Sequence, residues 1–364
     1  MIPESAYRRR ASAVQAELQK RDMAALVVTS LQEYDTRYIA QHAPGVLVVP
    51  ASGEPTLFAP GRPRTWLSDV RSAATLPAML DQCAARLKDL RIERGRVALG
   101  GELEWAVTAR LAASLPQMRF EPGNEIQDPL RLVKDEHEIA VLRRVQEISD
   151  AQIEAGQRAI APGRRDWEVL ADMARAGAAR GAEINESRHL IGYGPGTDDL
   201  WVPMTGRRIQ AGEVVNFEGI VYYGHYVVET PVTFAVGRVS AKQKALADVT
   251  FDAFQAGIAE IKPGRPLGRV VDASNAILKA HGYDKMIRRH GHFSGISNND
   301  RPAFGDAIDA GLLLQPGMFM SYHTTIISPT REAIAVVGRE VLVTKDGYEF
   351  LSKIKPTPMV PAGS

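Results

Sequence analysis

"QAGEVVNFEGIVYYGHYVVETP", residues 210–231, reads as a glycine turn followed by two apolar strands joined by a tight hairpin. Val, Ile, Tyr and Phe suit the pleated, half-buried surface of a sheet. A Tyr223-Gly224 loop matches glycine's tolerance of positive φ in two-residue hairpins. Two acids, Glu218 and Glu229, interrupt the apolar run. With that loop they face each other, their Cβ atoms about 4.5–5.5 Å apart. Two carboxylates so close in an apolar setting repel each other and are poorly solvated. A shared proton, an arginine or a metal cation is therefore expected between them.

The same stretch has a distant echo. "QPGMFMSYH" (315–323) answers "QAGEVVNFE" (210–218) and sets His323 where the first copy has Glu218. Earlier, "AGQRAIAPGR" (155–164) answers "AGIAEIKPGR" (256–265), and Val169 and Gly181 answer Val270 and Gly282 at the same interval. Each copy reads as a helix, a Pro-Gly turn, a second helix and then strands. The expectation is an intramolecular duplication with a pseudo-two-fold axis near Glu218 and His323. In "RRHGHFSGISNNDRP" (288–302), His290 and His292 are two apart and share a face on a strand. Glu218, Glu229, His292 and His323 form a candidate ligand set for one divalent ion, zinc, manganese or iron. One carboxylate with two histidines is also the facial set of non-haem iron enzymes.

Outward from this region, the first third of the chain alternates helix and strand. Residues 5–22 read as an amphipathic helix, "MAALVVTS" (23–30) as a buried strand and "GVLVVPASGEPTLFAP" (45–60) as two strands around a Ser-Gly turn. "LPAMLDQCAARLKDL" (76–90) is a helix and "GRVALGG" (95–101) another strand. This pattern predicts a compact α/β domain over residues 1–127, a Pro/Gly/Asn-bearing linker and a second domain over 128–364. The overall class is α/β, or α+β. Of the 364 residues, 45% are hydrophobic and 24% charged, as in soluble globular chains. The formal net charge of +1 supplies no field for nucleic acid or an anionic membrane. The single cysteine, Cys83, excludes an internal disulfide. No stretch reads as a signal peptide or a membrane span, so a cytoplasmic protein acting on a small molecule is expected.

"DPLRLVKDEHEIAVLRRVQEISD" (128–150) carries Arg131, Lys134, Glu138 and Ile139 in an Arg-x-x-Lys-x-x-x-Glu-Ile pattern. With "IAPGR", "IKPGR", "LQPGM" and "EVLVTKDGYEFL", it resembles the creatinase, prolidase and methionine aminopeptidase family. The resemblance covers essentially the whole chain. It implies a creatinase-like N-terminal domain, a catalytic domain of the "pita-bread" fold and a homodimer. Metal-dependent members hold two metals with two aspartates, a histidine and two glutamates. The resemblance puts Glu218 and Glu229 at the aspartate positions, His292 at the histidine and His323 at the first glutamate. The last glutamate position falls at Gly338, with Glu340 a candidate substitute on the same strand face. Two further histidines of the peptidases are replaced by Trp201 and Asn299.

These departures imply one metal rather than two, held by Glu229, His292 and His323 with Glu218 nearby. Glu218, Glu229 and His292 are the candidate catalytic groups. Trp201 in the loop "GYGPGTDDLWVP" (192–203), Asn299 and the Tyr226 hydroxyl are candidate substrate contacts. The expected function is an atypical hydrolase of a C–N bond in a non-peptide or dipeptide-like small molecule. The alternatives are a repurposed mononuclear metal enzyme, such as a non-haem iron oxygenase or a lyase, and a non-catalytic binding protein.

Overall fold

The computed structural model describes residues 2–30, 35–101, 105–184, 187–193, 205–283, 290–303, 310–327 and 334–363. The chain divides into two compact units, Met1–Arg131 and Leu132–Ser364.

The first unit runs α1 (Glu4–Lys20), β1 (Ala25–Ser30), α2 (Asp35–Ala40), β2 (Gly45–Pro50), β3 (Thr56–Ala59), β4 (Asp69–Ser72), α3 (Leu76–Asp89), β5 (Gly95–Gly101), α4 (Trp105–Ser114) and β6 (Met118–Pro122). It ends in α5 (Asn124–Leu132), so the expected linker is helical and the expected boundary at 127/128 falls within it. The strands form one sheet in the order β4-β3-β2-β1-β5-β6. Strands β1 and β2 are buried along their whole length, which explains their unbroken Val/Leu runs. Val27, Val48 and Val97 pack on Leu80, Cys83 and Leu87 of α3 and on Leu111 of α4.

The second unit opens with α6 (Glu136–Ala159). Asp135 caps it, accepting from the N–H groups of His137 and Glu138, while Glu138 accepts from the Asp135 N–H. That reciprocal arrangement satisfies donors which a helix start otherwise leaves open. Next come α7 (Asp166–Ala178), β7 (Arg188–Tyr193), β8 (Val214–Tyr223), β9 (Tyr226–Ala235), α8 (Ala241–Ile258) and α9 (Leu267–Ala280). The unit closes with β10 (Gly291–Phe293), β11 (Asp300–Ala303), β12 (Phe319–Ile327), β13 (Ile334–Val343), β14 (Tyr348–Phe350) and β15 (Val360–Pro361). The sheet order is β11-β10-β12-β13-β9-β8-β7, with β14 on β13 and β15 on β9.

The duplication read from the sequence recurs in the hydrogen bonds. Gly163 donates to the Ile209 carbonyl and Ile209 donates back to Arg164. In the second copy, Gly264 donates to Leu314 and Leu314 donates back to Arg265. Gly212 closes on Val236 as Gly317 closes on Val343. Each pair locks a Pro-Gly turn against the approach to the following strand.

The β8–β9 hairpin departs from the expected register. Its loop is Gly224-His225, not Tyr223-Gly224, because Tyr223 pairs with Tyr226. Both loop residues have positive φ, 59° and 67°, the requirement of the type I′ turn whose twist suits a hairpin. Glu218 therefore faces Pro231, and Glu229 faces Ile220. The slip moves partners by two residues, so both acids keep the same sheet face as diagonal neighbours.

Side-chain alternation divides this sheet into two faces. Val215, Phe217, Val232 and Phe234 pack on Ile153 of α6 and on Val169 and Met173 of α7. Met320, Tyr322, Val337 and Val341 pack on Phe254 and Ile258 of α8 and Val270 of α9. The intervening positions, Glu218, Glu229 and His323 among them, point from the opposite face. Among the described residues, no helix is long and apolar enough to cross a membrane.

Candidate metal centre

Glu229, His292 and His323 converge. One ligand atom from each lies within 4.8 Å of the others, and all three residues are buried. Glu229 Oε2 is 3.3 Å from His292 Nε2, and Glu229 Oε1 is 3.5 Å from His323 Nε2. The two imidazole rings meet edge to face, with centroids 5.6 Å apart and planes inclined at 72°. Charge-assisted hydrogen bonds between imidazolium and carboxylate are shorter, about 2.7–2.9 Å. Donors spaced as here suit a cation instead, since ligand bonds of about 2.0–2.2 Å around a tetrahedral ion separate the donors by about 3.4 Å. The donor set therefore fits a divalent metal.

Proton counting fixes how His292 presents itself. The Ser294 hydroxyl donates to the Asn298 carbonyl at 3.3 Å and so has no second proton for His292. His292 Nδ1 lies 3.3 Å from that same hydroxyl oxygen and 3.4 Å from the Phe293 carbonyl, which only accepts. Nδ1 accordingly carries a hydrogen, and Nε2, the atom facing Glu229, is the one left to meet a metal. A second partner that fixes the tautomer is the usual arrangement of a metal-binding histidine.

The Glu229 carboxylate is shaped by opposing effects. Burial alone would raise its pKa. The imidazoles of His292 and His323 and the Asn298 amide outweigh burial and hold it well below the usual carboxylate range. Asn298 Nδ2 donates to Glu229 Oε2 at 2.5 Å.

Glu340 does not take the place of a ligand at Gly338. Strands β13 and β9 pair at Val337–Val232, and the Glu340 carboxyl continues that contact, with Oε1 accepting the Glu229 backbone N–H at 2.5 Å. Burial and the charge of Glu229 push the Glu340 pKa well up, although the Glu229 N–H and Lys134 pull the other way. The buried ammonium of Lys134 is 3.0 Å from Asp300 Oδ2.

Gly338 itself admits no side chain. It lies opposite His323 across β12 and β13. A Cβ there would stand 2.4 Å from Pro231 Cγ and 2.5 Å from His323 Cβ. The position to which the resemblance assigns the last glutamate is thus filled by its neighbours.

The remaining candidates are dispersed. Glu218 is buried on β8 but lies outside the three-residue cluster. The Tyr226 hydroxyl donates to Glu138 on α6, 3.0 Å away, which ties it into the core rather than the centre. Asn299 is exposed, with its backbone N–H on Ser297 Oγ; its neighbour Asn298 makes the contact to Glu229. Trp201 lies outside the described residues. Asn298, Ser294 and Pro231 are contributors that sequence reasoning missed. Counting from Gly295 picks Asn299, and the "NN" pair carries no sign of which amide turns inward.

The chain has relatives among known proteins. Residues 140–345 match the model of metallopeptidase family M24. The chain is 28% identical over 236 residues to YkvY of Bacillus subtilis, a match spanning 65% of this chain and 64% of that protein. It is 24% identical over 254 residues to the Xaa-Pro dipeptidase of Pyrococcus furiosus, covering 70% of this chain and 72% of the other. In three dimensions it resembles dipeptidase PepE from Mycobacterium ulcerans, with a TM-score of 0.85 over 99% of this chain and 100% of that one at 23% identity. The matched domain spans more than half of the sequence and contains Glu229, His292 and His323, and the chain belongs to metallopeptidase family M24.

Proposed function

We propose that the protein is a hydrolase of an amide-like C–N bond in a small, non-peptide or dipeptide-like molecule, working with one divalent cation. The observation that carries this reading is the convergence of Glu229 with His292 and His323. Two imidazoles and one carboxylate would hold the ion and leave coordination positions for water and substrate. A bound divalent ion lowers the pKa of its water and polarises a carbonyl. The chain's own residues do the rest. Glu229 is held by Asn298 and His292 by Ser294. Glu218, diagonal to Glu229 on the same face, is the carboxylate placed to accept and return a proton. The filled space at Gly338 supports one ion rather than two.

The relatives named as dipeptidases support hydrolysis of a peptide-like bond. Trp201 and Asn299, where the resemblance expects histidines, support a substrate other than an ordinary Xaa-Pro dipeptide. A cytoplasmic homodimer belongs to the same proposal, on the strength of that resemblance. The same Glu/His/His set also favours a second reading, a mononuclear iron enzyme using oxygen or eliminating a group.

Elemental analysis of the freshly purified protein, with turnover of a panel of dipeptides, N-acyl amines and amidines, tests the proposal. One zinc or manganese per chain, and turnover abolished by chelation and restored by metal, is the expected result. Full turnover after exhaustive metal removal overturns it. Bound iron with substrate-dependent oxygen consumption establishes the second reading instead.

A further inference from the structure

Asn298 has a second atom that the centre does not use. Its Nδ2 is committed to Glu229 Oε2. Its Oδ1 is buried and has no hydrogen-bond partner. Turning the amide over would not cure this, because the carbonyl oxygen would then face a carboxylate oxygen, and neither can donate. Glu229 therefore fixes the orientation and leaves an acceptor beside the cluster. An unsatisfied buried acceptor is costly to a fold. Such groups persist where a ligand supplies the missing partner.

The loop around Asn298 is held in place. Ser294 Oγ ties the Asn298 main-chain carbonyl to the ring of His292, and the side-chain amide ties the same residue to Glu229. One short segment thus touches two of the three candidate ligands and presents a fixed acceptor at their edge.

We propose that Asn298 is a specificity-determining residue whose Oδ1 accepts a hydrogen bond from an N–H group of the molecule bound at the cation. This rests on the metal-centre reading above. It selects ligands with an N–H next to the metal-bound oxygen, such as unsubstituted or secondary amides and amidines, over those whose nitrogen is fully substituted. A tertiary amide, which is the bond preceding proline, lacks that donor. The preference thus runs against Xaa-Pro substrates and toward other amides.

The test needs no knowledge of the natural substrate. Acetohydroxamic acid offers a metal-binding oxygen pair with an adjacent N–H; its N-methyl derivative keeps the oxygen pair and lacks the N–H. Each is titrated into the full-length protein loaded with one equivalent of cobalt(II), and binding is read from the visible spectrum of the ion. The wild type is expected to bind the N–H form at least tenfold more tightly. Asn298→Leu, of similar size but without an acceptor, should lose that preference. Equal affinities in the wild type overturn the proposal. So does a preference that survives Asn298→Leu, since it would then reflect crowding by the methyl group. If Asn298→Leu does not fold, Asn298→Ser makes the same comparison with a side chain too short to reach. Failure of the protein to bind cobalt, or of both hydroxamates to perturb its spectrum, removes the metal centre and this proposal with it. A preference that fails while cobalt and hydroxamate still bind removes this proposal alone.

Discussion

Pro231 occupies the space that any side chain on Gly338 would need. The ring carbon Cγ lies 2.4 Å from where a Cβ would stand, and His323 Cβ closes the other side at 2.5 Å. Neither can retreat easily, one being part of a rigid ring and the other fixed to a strand backbone. Gly338→Ala should therefore destabilise the fold by about 1–3 kcal/mol, the usual cost of forcing a methyl group into a packed site. In a Pro231→Ala background that cost should shrink, giving a coupling above about 0.5 kcal/mol in a double-mutant cycle. Urea denaturation of the four proteins measures it. Strict additivity would show that the two positions do not compete for the same space.

Glu218 and Glu229 are both buried acids on one face, yet they should behave differently toward metal. Glu229→Gln, His292→Ala and His323→Ala each remove a member of the cluster and should weaken zinc or manganese binding at least tenfold. Glu218→Gln should leave the stoichiometry unchanged while lowering turnover. Equilibrium dialysis with elemental analysis separates the two outcomes. Loss of bound metal in Glu218→Gln would put that residue back among the ligands.

Lys134 and Asp300 form an ion pair 3.0 Å long with side chains 1% exposed. Removing one partner takes the closest opposite charge from a group held away from water, a change that costs about 3–5 kcal/mol in buried pairs. Lys134→Met or Asp300→Asn alone should lower the unfolding midpoint sharply. The double variant Lys134→Met/Asp300→Leu should cost less than the sum of the single changes, because both charges leave the buried site together. Chemical denaturation at neutral pH compares them.

Cys83 predicts an alkaline effect. Burial raises its thiol from 9.0 to about 12. Between those values the unfolded thiol releases its proton while the folded one keeps it. The unfolded state then binds fewer protons, and stability falls as pH rises, by up to about 1.4 kcal/mol per pH unit. Below pH 9 the thiol contributes no slope. Cys83→Ala should lose this component, so its stability should decline less steeply than the wild type's between pH 9 and pH 11. Parallel slopes would contradict the burial argument. The same burial should keep Cys83 unreactive to thiol reagents until the chain unfolds.

The duplication was legible because turn chemistry repeats at fixed offsets, as in Pro162-Gly163 and Pro263-Gly264. Glycine and proline mark the backbone wherever they occur, so these positions could be read without the fold. The cluster of Glu229, His292 and His323 was visible for a related reason, since polar groups inside apolar strands stand out. The hairpin register was not legible. Tyr223-Gly224 and Gly224-His225 both place glycine in a two-residue loop, and only a weak local preference, histidine over tyrosine at positive φ, separates them. Asn298 was hidden too, because a loop backbone decides which of two adjacent amides turns inward. Pro231 gave no signal, as its effect is a distance to Gly338, more than a hundred residues later.

The three converging side chains stand on either side of β13, one on β9 and two on the paired strands β10 and β12. Glu229 belongs to β9, while His292 and His323 belong to β10 and β12, and β13 runs between. The main-chain ladder between β13 and β9 has thinned there to the Val337–Val232 pair, with side-chain links from Glu340 to the Glu229 N–H and between Thr233 and the Val336 main chain. An ion gripped from both sides would brace the sheet transversely, at the seam where its own stitching is weakest. Chemistry and mechanical cohesion would then share a single atom, and stripping that atom away would loosen the join between the two duplicated halves before it disturbed either half alone.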